Sequence, residues 1–167
     1  MKRLLIVFSI LVVVATSQAQ TFSAERSKDI KKFTEQMNKF EPAYLKHDTR
    51  TIKRGVKKLL KIMDREIGRT TEDLARMKHE MYGNKADVNA KVNVVVMSDR
   101  LTVMKYIRQR VVDFDLSTLY EYSTRELAGF RGGLNHFKTL MEYNYNPSLA
   151  IHHISPNAKR VYTPVKE

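Results

Sequence analysis

The chain has 167 residues, 43% hydrophobic and 29% charged, with no cysteine and a formal net charge of +12. That size allows one domain with a real core, and the composition excludes wholesale disorder. Without cysteine there can be no disulfide, no cysteine-held zinc, no covalent heme attachment and no acylated lipoprotein cysteine.

The first residues read as an address. The basic start Met1, Lys2, Arg3 precedes an apolar run over residues 4–15, and Ser17 and Ala19 then place small residues two apart. This is the layout of a secretory signal peptide cleaved after Ala19. The apolar run is short for a membrane span, which makes an uncleaved anchor the alternative. The expected organisation is a signal peptide at 1–19, a helical bundle domain at 20–146 and a tail at 147–167, the protein being periplasmic or secreted. Removing residues 1–19 leaves 28 basic against 18 acidic residues, a net charge of +10. Such a balance suits an anionic partner surface.

Apolar residues then recur at three- and four-residue steps. Ile30, Phe33, Met37, Phe40 and Tyr44 mark a first helix, starting near Ser23 and about twenty-four residues long. Pro42 places a connection or kink at its end. Asp48 or Thr49 caps a second helix along Ile52, Val56, Leu59, Met63, Ile67, Thr70, Leu74, Met77 and Met81. A turn is expected at residues 82–87, with Gly83 as C-cap. Val94, Met97, Leu101, Met104 and Val111 mark the third helix, and no glycine or proline interrupts residues 85–128. A turn at residues 113–118, capped by Asp115 or Ser117, leads to a fourth helix along Leu127, Phe130, Leu134, Phe137 and Met141. Helices two to four are each expected to run about thirty residues, about 45 Å. Short connections make such neighbours antiparallel. The fold class is all-α, an up-down-up-down bundle of four helices. Its first member is the shorter, starting level with the middle of helix two, and an irregular tail packs into the seat left empty. Met77, Met81 and Met141 are expected to line that lower half.

Residues 51–69 unite a core face with dense positive charge. Arg50, Lys53, Arg54, Lys57, Lys58, Lys61, Arg65 and Arg69 fall on one arc of helix two, opposite the apolar positions. They form a basic stripe about 30 Å long. Asp64 and Glu66 alone interrupt it with opposite charge. The stripe is either a solvated face or a site for anionic lipid, acidic polysaccharide or an acidic protein. Nucleic acid is a poorer fit for an exported chain.

Helix three carries a second apolar stripe at Val92, Val96, Val103, Ile107 and Phe114. It serves either contact with two neighbouring helices or a homo-oligomer interface. Arg108 breaks the seam level with Glu126, as an interhelical ion pair or a ligand-binding arginine. Ala128, Gly129, Gly132 and Gly133 allow either close helix approach or a kink near residues 132–133.

The search for chemistry finds little. There is no Glu-x-x-His pair of the di-iron kind, no acid on the main seam of helices two to four, no Gly-x-Ser-x-Gly and no phosphate loop. His79 and His136 face outward on different helices, and the adjacent His152 and His153 lack a third ligand. No catalytic residue, cofactor or metal is expected. The leading expectation is a non-enzymatic exported bundle that binds an anionic surface or partner. A periplasmic holdase-type chaperone and a cofactor-binding or enzymatic bundle are the alternatives.

Overall fold

The computed structural model describes residues 2–83 and 88–145, with side chains placed for residues 24–79, 81 and 91–144. Four helices follow one another: α1 (Lys2–Leu45), α2 (Thr49–Gly83), α3 (Val88–Val112) and α4 (Thr124–Tyr145). Cross-helix contacts give their directions. Phe33 stacks on Phe137 and Phe40 lies against Phe130, so α1 and α4 run antiparallel. Asp64 of α2 meets Arg108 of α3, and Thr70 meets Met104. The bundle is all-α and up-down-up-down, each helix beside its chain neighbour and α1 beside α4.

The main core is continuous through all four helices. Phe33, Ile52, Leu59, Met63, Met104, Leu134, Phe137 and Met141 are each at most 2% exposed. A second cluster, Leu74, Val94, Met97 and Leu101, lies toward the α2–α3 turn, with Met77 and Met81 packed against it. The expected empty seat beside them is not there, since α1 runs on past the level of Asp73, which meets Arg26. Met141 belongs instead to the main core, because it lies less than a turn before Asn144, which is level with Glu66 and Thr70.

Helix boundaries depart from expectation in three places. No helix start lies at Ser23: α1 is one helix of 44 residues, the longest of the four. Neither glycine nor proline occurs between Lys2 and Glu41 to stop it. Even counted from residue 20 it is not shorter than α3 or α4, which have 25 and 22 residues. Pro42 does not break the helix either, for it lies in the last turn and Lys46 N–H still donates to its carbonyl at 3.2 Å. Termination falls at His47, the single non-glycine residue with positive φ (54°) among the described residues. There Asp48 N–H reaches the Ala43 carbonyl at 2.9 Å and His47 N–H reaches Tyr44 at 3.0 Å, the paired bonds of a Schellman end. Asp48 then accepts from Thr51 N–H at 3.0 Å and caps α2, as the sequence predicts.

The third departure is the α3–α4 connection, which takes residues 113–123 rather than a tight turn. Asp115 accepts from Ser117 N–H at 2.8 Å, an Asx turn and not a helix cap. The cap is Ser123. Its N–H and hydroxyl donate to Glu126 at 2.8 and 2.6 Å, and Glu126 N–H returns a bond to Ser123 Oγ at 3.3 Å. Ser-x-x-Glu is the full capping box, so it wins the helix start over Asp-x-Ser. Leu119, fully buried, plugs the connection into the core. The long connection is the reason that α3 and α4 fall short of thirty residues. The expected turn at residues 82–87 falls largely on residues 84–87, which, like the tail, lie outside the described residues.

Candidate functional site

The outer face of α2 divides into two parts. In its N-terminal half Arg50, Lys53, Arg54, Lys57, Lys58 and Lys61 are all exposed, and none forms an ion pair with another described residue. They span about 17 Å of helix. Arg65 and Arg69 belong to the same arc by position but not by state. Arg65 grips Asp29 of α1 with two bonds, at 2.7 and 3.1 Å. Arg69 donates to Asp29 at 3.0 Å and to Glu25 at 3.1 Å, and lies 3.5 Å from Glu66. These two positions of the expected anion-binding stripe are thus occupied by acids of the protein itself.

That pairing is part of a larger network. Glu66 is fully buried, although the sequence pattern places no acid on the seam. Arg26 of α1 donates to it at 3.1 Å and to Asp73 at 2.6 Å, and Arg76 also pairs with Asp73. Asn144 Nδ2 of α4 donates to Glu66 at 3.1 Å and to Thr70 Oγ1 at 2.9 Å. Four arginines (26, 65, 69, 76) face four acids (25, 29, 66, 73), so the network is internally neutral. Among the described residues no buried side-chain nitrogen or oxygen lacks a partner.

Electrostatics sort the two central acids differently. Burial pushes Glu66 above its ordinary carboxylate value, against the pull of Arg26, Asn144 and Arg69. Burial pushes Asp29 upward too, but there the bonds from Arg65 and Arg69 outweigh it and hold the group below its ordinary value. The sequence carried a signal for Glu66 that apolar spacing alone passes over: Leu59, Met63, Glu66 and Thr70 step by four, three and four, and all are buried.

Other expected sites are placed as follows. Arg108 is half-exposed and bonds Asp64 of α2 at 2.8 Å, not Glu126, which is engaged in the α4 cap. Its seam position is taken by Ile107, 5% exposed. Of the second stripe on α3, Ile107 is core, Val103 and Phe114 pack against that core, and Val92 and Val96 are half-buried. Contact of α3 with both α2 and α4 accounts for the first three. α4 runs without a break through residues 132–133. At Gly133 a Cβ would lie 3.7 Å from Ile107, an ordinary contact, while Gly129 and Gly132 face open space. Gly129 and Gly133 line a groove of about 540 Å³ between α3 and α4, walled by Tyr106, Phe114, Tyr122 and Phe130. His79 and His136 are both exposed.

One end of the bundle combines charge with apolar exposure. Four large hydrophobic residues are exposed among those described: Leu45 (72%), Tyr106 (65%), Val112 (45%) and Tyr120 (36%). Leu45, Val112 and Tyr120 lie at the end where α1 meets α2 and α3 leads to α4, and Tyr106 is less than two turns away. Tyr120 stacks on His47 at 4.3 Å and on Tyr44 at 5.2 Å. The exposed cations Arg50, Lys53 and Arg54 begin at this same end, where Lys53 and Arg54 lie near the exposed carboxylates of Asp115 and Asp48 without forming ion pairs. No helix among the described residues is long and apolar enough to cross a membrane. Comparison with protein families, with curated proteins and with solved structures gives no match.

Proposed function

We propose that this is a non-enzymatic exported bundle protein that docks on an anionic membrane surface through the end formed by the α1–α2 and α3–α4 connections. The observation that carries the reading is the coincidence of exposed Leu45, Val112 and Tyr120 with the start of a row of six exposed cations that form no ion pair among the described residues. A convex row of lysines and arginines cannot enclose a small anion, but it can lie on an extended one. Long basic side chains near a lipid surface each contribute about 1 kcal/mol of attraction, and apolar and tyrosine side chains beside them enter the headgroup region. Acidic polysaccharide would use the cations alone. Export is supported by the layout of residues 1–19; cleavage after Ala19 would leave Arg26, Asp29 and Phe33 of α1 in place. Mass measurement of the exported chain tests that step, which fails if the apolar run is retained.

The binding test is co-sedimentation with vesicles of phosphatidylcholine containing phosphatidylglycerol, and with acidic polysaccharide, at low and high salt. Reversal of Lys57, Lys58 and Lys61 to glutamate should abolish vesicle binding, and salt should weaken it as the Debye length shrinks from about 10 Å at 0.1 M to about 3 Å at 1 M. Leu45→Ser with Tyr120→Ser should weaken vesicle binding while leaving polysaccharide unaffected. Equal binding by wild type and the lysine reversal overturns the proposal. Loss with the lysine reversal but no effect of the Leu45/Tyr120 pair assigns the face to a soluble polyanion instead.

A further inference from the structure

Arg100 stands apart from the other arginines held between helices. Arg26, Arg65, Arg69 and Arg108 each meet a carboxylate of another helix. Arg100, half-buried on α3, forms no ion pair with a carboxylate among the described residues. Its Nη1 donates one long bond to Asn144 Oδ1 at 3.3 Å, and its guanidinium lies 5.7 Å from the centre of the Tyr143 ring. A guanidinium carries five N–H donors, so most of its capacity is unspent. A partly desolvated cation without a carboxylate is an unfavourable arrangement until an anion arrives. The contrast shows in proton affinity: carboxylate partners raise Arg65 and Arg108, whereas burial lowers Arg100.

The guanidinium opens on a groove of about 330 Å³ between α3 and α4, lined by Val96, Val103, Leu140 and Tyr143 beside Asp99, His136 and Thr139. Val96 and Val103 are half-buried and Leu140 is buried, so the walls next to the charge are apolar. One cation beside an apolar wall is the recipe of a small-molecule site, and the volume lies at the small end of the usual range of about 300–1,000 Å³. The planar edge of arginine matches a carboxylate with two parallel bonds. Asp99 in the wall, itself engaged in an interaction, disfavours a second negative charge. Thr139 donates its hydroxyl to the Asn135 carbonyl and is left as an acceptor, adding nothing for an anion. The geometry points to a binding site for a monocarboxylate with a short apolar body, its carboxylate on Arg100 and its body along Val96, Val103 and Leu140. The site is independent of the basic face of α2.

The full chain should be titrated with octanoate, with the neutral octanamide and with octyl phosphate, followed by residue-resolved NMR. Octanoate should shift Val96, Val103, Thr139 and Tyr143 saturably, and octanamide should bind about tenfold weaker or more, since a hydrogen-bonded charge is lost. In Arg100→Met that preference should vanish, with the helical circular-dichroism signal retained. If Arg100→Met does not stay folded, Val96→Glu decides, because a like charge in the wall should abolish octanoate binding. The assignment is overturned if octanoate and octanamide bind alike or not at all. It is equally overturned if Arg100→Met keeps the preference, if the shifts map to Lys57, Lys58 and Lys61, or if octyl phosphate binds tighter than octanoate.

Discussion

The two halves of α2 use the same kind of residue to opposite ends. From Arg50 to Lys61 the cations face solvent and repel one another. From Arg65 to Arg76 they are bound into a neutral lattice with α1. The helix itself does not make the difference, since its basic arc runs through both halves. What changes is the opposite wall: α1 presents Glu25, Arg26 and Asp29 to the second half, whereas beside the first half Gln36 lies near Gly55. Residue choice follows. Arginine, with its planar fork, supplies every cation in the lattice, and lysine supplies four of the six that stay free. A basic run thus becomes architecture or surface according to the acids its neighbour helix supplies.

The contrast is broken most severely at Arg26. Arg26→Ala leaves Glu66 buried beside fewer counter-charges and should destabilise the fold by about 3–5 kcal/mol, read from urea denaturation. Replacing the pair together, Arg26→Met with Glu66→Leu, should recover most of that loss, because two buried charges are removed with their desolvation. A loss below about 1 kcal/mol for Arg26→Ala would place the lattice with ordinary surface pairs.

A second test exploits pH. Asp29 is held below its ordinary value of 3.8, so its contribution to stability is complete above that pH and is lost as pH falls through its lower folded value. Asp29→Asn should therefore cost about 2 kcal/mol near neutrality and progressively less in acid. Glu66 has the opposite sign. Its folded value lies above the ordinary 4.5, so protonation favours the folded state, and this benefit fades as pH rises through the folded value. Wild type should gain on Glu66→Gln as pH falls from neutrality toward 4.5. Parallel pH profiles for wild type and each of the two variants would refute the assignment.

Arg108→Ala removes a half-exposed pair, with Asp64 more than half exposed. Solvent screening limits the loss to about 0–1 kcal/mol in the same assay. The smallest effect belongs to the free half of α2. Reversal of Lys57, Lys58 and Lys61 to glutamate should change stability by less than about 0.5 kcal/mol per site, with the helical signal intact. A large loss would show that these lysines are structural after all.

Much of the architecture was legible in sequence because it rests on short-range rules. Three- and four-residue apolar spacing located all four helices, Asp48 announced the start of α2, and Gly83 marked its end. Where the reading missed, a longer-range or competing choice decided. His47 ends α1 in a left-handed conformation that its residue type does not announce, one turn beyond the proline that drew attention. Ser123 outcompetes Asp115 because its partner Glu126 completes two reciprocal bonds. The candidate site was half visible: all eight cations were readable, but not which would remain free.

By itself the sequence determined the helical period, the antiparallel order and the existence of a basic arc, since each depends on neighbours within a few residues along one chain segment. Only the tertiary structure decided the state of each charge. Glu66 and Arg26 lie 40 residues apart, and Asn144 is 78 from Glu66, so no local pattern could pair them. The same holds for Arg100, whose partial burial without an ion-paired carboxylate among the described residues follows from how α3 and α4 meet. A charge takes its meaning from the dielectric and the partners around it, and in this protein those are set by the packing of helices distant in sequence.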